Sequence, residues 1–116
     1  MWDLSLQAAG VLAIVVAIIH GAIGELRIFA RTRIEPQRTR TLLHLIFQAT
    51  TVDWIAIGVL LIAAPWLDAP AARHWIVAVA VLVYGYAAVG NALATRRLHL
   101  GWIGMSCAVV LALAGA

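Results

Sequence analysis

Two histidines lie where apolar runs meet arginine-rich segments, and histidine is the residue type that most often ligates metals and haem iron. His20 is near the end of the first apolar run and His44 is near the start of the second. If both runs are helices, these side chains lie at similar depth, with Glu25, Gln48 and Asn91 nearby. Such a pair predicts a metal site or the axial ligands of a haem whose propionates meet the arginines. The alternative is that each histidine only hydrogen-bonds a backbone carbonyl or a neighbouring helix.

The spacing of these residues argues against a simple metal site. A helix turns by about 100° per residue, so Glu25 points roughly 140° away from His20 and a straight helix cannot easily bring both to one ion. His44, Gln48 and Thr51, by contrast, share one face of the second predicted helix. The sequence has no Cys-x-x-Cys or His-Glu-x-x-His pattern. Haem at His20 and His44 is therefore the cofactor hypothesis, and no metal ligands are assigned.

Asp53 is the acid placed deepest in an apolar run. It lies about eleven residues, or about 16 Å, into the second predicted helix, close to the midplane of a bilayer. We expect Asp53 to be buried away from lipid and uncharged unless it meets a cavity, because a charge in hydrocarbon is costly. Tyr84 and Ser106 lie at comparable depth, so either is expected to hydrogen-bond it. A proton or cation site and an acid that locks helix packing both remain open.

The composition indicates that a membrane positions these residues. Of the 116 residues, 65% are hydrophobic and 11% are charged, and the mean hydropathy is +1.01. A soluble domain averages about 25% charged residues. Four apolar runs, at residues 4–24, 42–64, 75–94 and 98–116, are near the length of about 20 residues that a helix needs to cross a bilayer. The sequence predicts one all-α domain over residues 1–116, an integral membrane four-helix bundle.

The arginines predict the orientation of this bundle. Seven of the eight basic residues lie in residues 25–41 and 96–97, whereas Arg73 stands alone between the second and third runs. Positive residues favour the cytoplasmic side, so both termini are expected on the non-cytoplasmic side of a multi-pass protein of the bacterial inner membrane. This bias explains the positive charge without nucleic acid as a partner. The N-terminal segment has Asp3 instead of the basic start of a signal peptide, so the first run is expected to stay in the mature protein.

Small residues recur every four positions on the first and fourth predicted helices. Membrane helices pack closely through such stripes, either within one chain or between chains. We therefore expect close helix contacts there, and oligomers or a larger membrane complex. The stripes comprise Ala9, Ala13, Ala17 and Gly21 on the first helix, and Gly104, Ala108, Ala112 and Ala116 on the fourth.

The segment from His20 to Glu25, His-Gly-Ala-Ile-Gly-Glu, resembles an uncharacterised family of small four-helix bacterial membrane proteins. In that family the first span ends in His-x-x-x-Gly-Glu before an arginine-rich loop, and the second carries Trp-His before Thr-Thr-x-x-Trp. Here the corresponding stretch, residues 47–54, reads Phe-Gln-Ala-Thr-Thr-Val-Asp-Trp. Gln48 replaces the expected histidine, for which His44 is the candidate substitute. The resemblance covers the first half of the chain and implies no known activity, but it makes His20 and Glu25 a unit, with Glu25 paired to a loop arginine.

Three functions are compatible with these patterns. The favoured one is an accessory or self-associating subunit of a membrane complex, with the lipid bilayer and other copies as partners. The alternatives are a proton- or cation-coupled small transporter that uses Asp53, and a haem or metal-binding membrane protein that uses His20 and His44. The absence of a catalytic triad, a phosphate loop and paired carboxylates disfavours an ordinary enzyme.

Overall fold

The computed structural model describes residues 2–116, and this part of the chain is helical, without a strand. Four helices dominate it: α1 (Trp2–Ile23), α2 (Gln37–Ala63), α3 (Pro70–Thr95) and α4 (Leu100–Ala114). A π-helical turn and a short α-helical turn extend α1 as far as Arg31. A 3-10 turn extends α2 as far as Trp66.

Three of the four helices are long and apolar enough to cross a membrane: α1 with its extension, α2 with its turn, and α3. This confirms the all-α prediction, and three of the predicted spans correspond to helices of sufficient length and apolarity. The fourth predicted span, 98–116, is shorter in the structure. Its helix has 15 residues and is about 22 Å long, against about 30 Å of hydrocarbon. His99 is the N-cap residue of α4, and its Nδ1 accepts a hydrogen bond from the Gly101 amide at 3.0 Å.

At the arginine-rich end the helices extend further than the apolar pattern predicts. Helix α1 continues beyond residue 24 to Arg31, and α2 begins at Gln37 instead of residue 42. Arginine is a good helix former, so loss of hydropathy alone does not end a helix. Between α1 with its extension and α2, only residues 32–36 are non-helical, and the helix resumes after Pro36. Most of the basic segment therefore belongs to helix ends and not to a loop.

Helix α1 packs against both α2 and α4, and α3 packs against α4, whereas α2 and α3 contact each other more sparsely. The predicted small-residue stripes are buried inside this bundle, except at exposed Ala116. A Cβ added to Gly104 would lie 2.5 Å from Cγ2 of Val16, so α4 approaches α1 directly through its stripe. The stripe positions buried in the structure are Ala9, Ala13, Ala17, Gly21, Gly104, Ala108 and Ala112.

Helices α1 and α2 cross where two glycines meet. A Cβ at Gly10 would lie 2.4 Å from the carbonyl oxygen of Gly58, and a Cβ at Gly58 would lie 2.9 Å from that of Gly10. Real Cβ atoms do not approach a backbone so closely, and a backbone cannot swing aside as a side chain can. The separation of the two helices therefore depends on the absence of a side chain at both positions.

Arg73 holds together the end of the bundle opposite the basic residues. Its guanidinium donates one hydrogen bond to Oδ1 of Asp3 and one to the carbonyl oxygen of Gly115, each at 3.0 Å. The start of α1, the start of α3 and the end of α4 therefore meet at one end. Trp2, Trp66 and Trp75 belong to this end and are 63–72% exposed.

Candidate functional site

A polar cluster joins α1 to α2 near the basic end. Oε1 of Glu25 accepts hydrogen bonds from Nε2 of Gln48, at 2.9 Å, and lies 2.5 Å from Nε2 of His44. Gln48 also donates to the carbonyl oxygen of Gly21, at 3.1 Å, and accepts from Oγ1 of Thr51, at 3.0 Å. The common face predicted for His44, Gln48 and Thr51 therefore points at α1. Gln48 uses its amide to bridge the Glu25 carboxylate to the backbone of α1.

The pairing of Glu25 differs from the resemblance, which implied an arginine partner. His44 occupies that place, because glycines at 21 and 24 let α2 approach α1 beside the carboxylate. A Cβ on Gly24 would lie 2.4 Å from the Phe47 ring. Arg40 on α2 acts on Glu25 only through its charge, because its guanidinium donates its hydrogen bond to the carbonyl oxygen of Phe29.

His20 lies on the other flank of the α1–α2 contact, packed between two aromatic rings. Its imidazole stacks on Phe47 with a centroid distance of 4.0 Å and an interplanar angle of 6°. Trp54 lies at 4.5 Å and is tilted by 45°. Nε2 of His20 is shielded from solvent and has no hydrogen-bond partner in the described part of the chain. A buried polar atom without a partner costs about 1–3 kcal/mol, and because Nε2 has almost no accessible surface, the imidazole lines the neighbouring cavity with its other atoms.

A cavity of about 380 Å³ lies beside His20 and is lined by residues of all four helices. Its polar rim is formed by Asn91, Thr95 and His99, of which the sequence had marked Asn91 as an intramembrane polar residue. Nδ1 of His99 accepts the Gly101 amide, so in the neutral imidazole Nε2 carries the hydrogen. The remaining lining residues are Val16, Ile19, Ile23, Ile28, Phe47, Trp54, Ala94, Leu100 and Gly101.

The structure does not bring His20 and His44 together as haem ligands. His44 is absent from the cavity lining. Its Nε2 lies against Glu25, and its ring stacks on Phe29 at 4.5 Å. His20 and Glu25 point in different directions from α1. His44, which bonds Glu25, therefore does not lie beside His20. Within residues 2–116 no group of three His, Cys, Asp or Glu side chains is arranged to hold a metal ion.

Asp53 is exposed in a groove between α2 and α3, contrary to the prediction that it is buried. The two expected partners bond elsewhere. Tyr84 donates to the carbonyl oxygen of Trp54, at 2.7 Å, and Ser106 donates to that of Trp102, at 2.7 Å. Sequence depth located these residues, but it did not reveal that Tyr84 faces the interior. Tyr86, two residues further along α3, lies on the exposed side and lines the groove with Asp53. No hydrogen bond is formed by Asp53 to any described residue.

Two polar features of the fold are thus open to other molecules: the cavity beside His20 and the groove that contains Asp53. No known protein family, curated protein or solved structure matches this chain.

Proposed function

We propose that this chain is an integral membrane protein that self-associates through the groove between α2 and α3, as an accessory or self-associating subunit of a membrane complex. The observation that supports this most is the exposure of Asp53 without a hydrogen-bond partner in a groove between two apolar helices. The two helices that form this groove, α2 and α3, are both long and apolar enough to cross a bilayer. A polar group on a second protein surface would supply the hydrogen-bond partner that Asp53 lacks in the monomer.

The depth of Asp53 makes an uncovered carboxyl group unfavourable. Asp53 lies about ten residues before Ala63, the last residue of α2, or about 15 Å from that end at the usual helical rise. An aspartate at the centre of a membrane helix costs about 2.5–3.5 kcal/mol on insertion scales. Protonation reduces that cost but leaves a hydroxyl donor without an acceptor. A partner helix with a polar side chain would satisfy the group.

A second copy of the same chain fits the groove, because the groove holds both an acceptor and a donor. Tyr86 is 82% exposed and lines the same groove as Asp53. In a two-fold pair, the Tyr86 hydroxyl of each copy faces Asp53 of the other, so this one contact forms twice. Ala49 and Ala56 are also exposed on α2, on either side of Asp53. Small side chains at these positions allow the two copies of α2 to approach closely.

We expect Asp53→Leu and Ala56→Leu to weaken association, whereas Asp53→Asn largely preserves it. Leucine removes the acceptor or blocks the close approach, while asparagine keeps an oxygen that accepts a hydrogen bond. Interhelical hydrogen bonds in membranes contribute about 0.6–2 kcal/mol each, and a two-fold pair loses two of them, so the dissociation constant for Asp53→Leu should rise from about eightfold to several hundredfold. Energy transfer between labelled copies in liposomes, measured against protein density, reports that constant.

The matched control for these variants is Ala22→Leu, because Ala22 is exposed on α1 outside the groove. It should associate like the wild type. A monomeric wild-type chain at every density, or equal association of Asp53→Leu and the wild type, would contradict the proposal. Asp53→Asn also tests the transport alternative, since a proton flux abolished by this change at unaltered association would support a transporter.

We further propose that the basic end of the bundle lies in the cytoplasm, with the membrane being the bacterial inner membrane. Seven of the eight arginines are in segments at that end. The eighth, Arg73, is at the opposite end, where it pairs with Asp3 and the carbonyl oxygen of Gly115. One arginine on that side against seven on the other is the asymmetry that sets orientation.

A topology reporter tests this orientation. Alkaline phosphatase fused after Ala116 should be active in the periplasm, whereas a fluorescent protein inserted after Arg33 should fluoresce in the cytoplasm. Arg33 suits the insertion because it lies in the short non-helical segment between α1 and α2. Each reporter placed at the other site serves as the control and should be silent. The reverse pattern of activity would refute the orientation.

A further inference from the structure

We propose that the cavity beside His20 binds a small, uncharged aromatic ring that carries carbonyl oxygens, the chemistry of a quinone ring. This site is separate from the α2–α3 groove, and neither Asp53 nor Tyr86 lines it. Its volume of about 380 Å³ falls within the range of small-molecule pockets, roughly 300–1,000 Å³. A bicyclic ring fits this space.

The walls of the cavity favour a flat and neutral ligand. The lining residues include no aspartate, glutamate, lysine or arginine, so a charged ligand would lose its hydration without gaining an opposite charge. Trp54 and Phe47 contribute aromatic surface, and both contact the imidazole of His20. Aromatic rings pack well against such faces by offset stacking or edge contacts.

The polar rim indicates carbonyl acceptors on the ligand. Since Nδ1 of His99 accepts the Gly101 amide, the neutral ring presents Nε2–H as a donor. The amide of Asn91 uses one contact to the Ala87 carbonyl and has a second hydrogen to donate. Nε2 of His20 is shielded even from the cavity, so it is not one of these donors. The His99 imidazole at the start of α4 and the Asn91 amide on α3 match a ring with carbonyl oxygens.

Binding of 1,4-naphthoquinone to the purified protein in nanodiscs tests this assignment. We expect saturable binding of one equivalent by equilibrium dialysis, with naphthalene at least tenfold weaker because it has the same ring shape and no acceptor. His99→Asn keeps an N-cap acceptor for Gly101 and removes the Nε2 donor. Asn91→Leu keeps a side chain of similar size and removes the amide donor. Each variant should weaken naphthoquinone binding about three- to tenfold and leave naphthalene binding unchanged.

Two control pairs protect the test against misfolding and nonspecific partitioning. Ala94→Trp fills the cavity and should abolish binding, whereas Ala78→Trp lies on the same helix outside the lining and should not. His74→Asn, at the opposite end of the bundle, should bind like the wild type. Absence of saturable binding, equal binding of naphthalene and naphthoquinone, or an unaffected Ala94→Trp variant would overturn the proposal.

The same experiment separates two sources of the ring. If a naphthoquinone with an isoprenoid tail binds more tightly than the free ring, the natural ligand is a molecule of the bilayer. Equal affinity of the two compounds assigns it to a soluble aromatic carbonyl compound. Both results support recognition of the ring by the rim of the cavity.

Discussion

Gly10→Ala is expected to lower the free energy of unfolding by about 2 kcal/mol. The added Cβ would lie 2.4 Å from the carbonyl oxygen of Gly58 and 2.7 Å from the Ile62 side chain, so α1 and α2 must separate. Overpacking costs about 1–3 kcal/mol and occasionally more, and contact with a rigid backbone places this change at the upper end. The higher helix propensity of alanine returns up to about 1 kcal/mol. Unfolding by sodium dodecyl sulfate, followed by circular dichroism, measures the net change.

Gly90→Ala is the matched control, because a Cβ at Gly90 meets nothing within 4 Å. The same chemical change in α3 should leave stability equal or raise it by up to about 1 kcal/mol through helix propensity. A Gly10→Ala protein as stable as Gly90→Ala would show that α1 and α2 do not depend on backbone contact at their crossing. Gly58→Ala supplies a second measurement from the other side of the same contact.

Tyr84→Ala is expected to have the largest effect of any single truncation in the interior. Tyr84 is fully buried and donates to the carbonyl oxygen of Trp54, at 2.7 Å. Removal of a buried aromatic side chain costs about 3–5 kcal/mol through the cavity it leaves. Tyr84→Phe keeps the packing and removes only the hydrogen bond, so it should cost about 1 kcal/mol. The same detergent unfolding experiment separates the two contributions.

Tyr86→Ala provides the comparison for Tyr84→Ala, two residues away on the same helix. Since Tyr86 is 82% exposed, its truncation should leave the unfolding of the monomer unchanged. Under the proposed function it should weaken association in liposomes, because the hydroxyl that reaches Asp53 of another copy is lost. Equal destabilisation by both truncations would contradict the placement of these two tyrosines on opposite faces of α3.

Much of this fold could be predicted because apolar composition and helical periodicity are local properties. The long apolar runs indicate α1, α2 and α3 directly. They do not indicate that the extension of α1 ends at Arg31 or that α2 begins at Gln37, because arginines continue these helices beyond the apolar runs. The direction that a side chain faces is not a local property in a membrane. Lipid and protein interior are both apolar, so nothing in the sequence distinguishes the face of Tyr84 from that of Tyr86.

The polar cluster shows the same division between local and non-local information. The shared face of His44 and Gln48 follows from their spacing on one helix. The attachment of that face to Glu25 depends on how α1 crosses α2, which the glycines at 21 and 24 decide through close approach. The cavity beside His20 was beyond prediction, since residues from four helices line it. The burial of Nε2 of His20 likewise depends on tertiary packing, because the Phe47 and Trp54 rings come from another helix.

The short fourth helix has a consequence for the lipid around this protein. A helix of about 22 Å stands beside helices that exceed the thickness of the hydrocarbon layer. In the proposed bilayer placement, the membrane along α4 would thin, or its headgroups would move towards Arg96 and Arg97, at a cost of a fraction of a kcal/mol per ångström of mismatch. Membrane thickness would then be uneven around the circumference of the protein. The protein should partition into bilayers with shorter acyl chains, and neighbouring molecules can share the thinned zone.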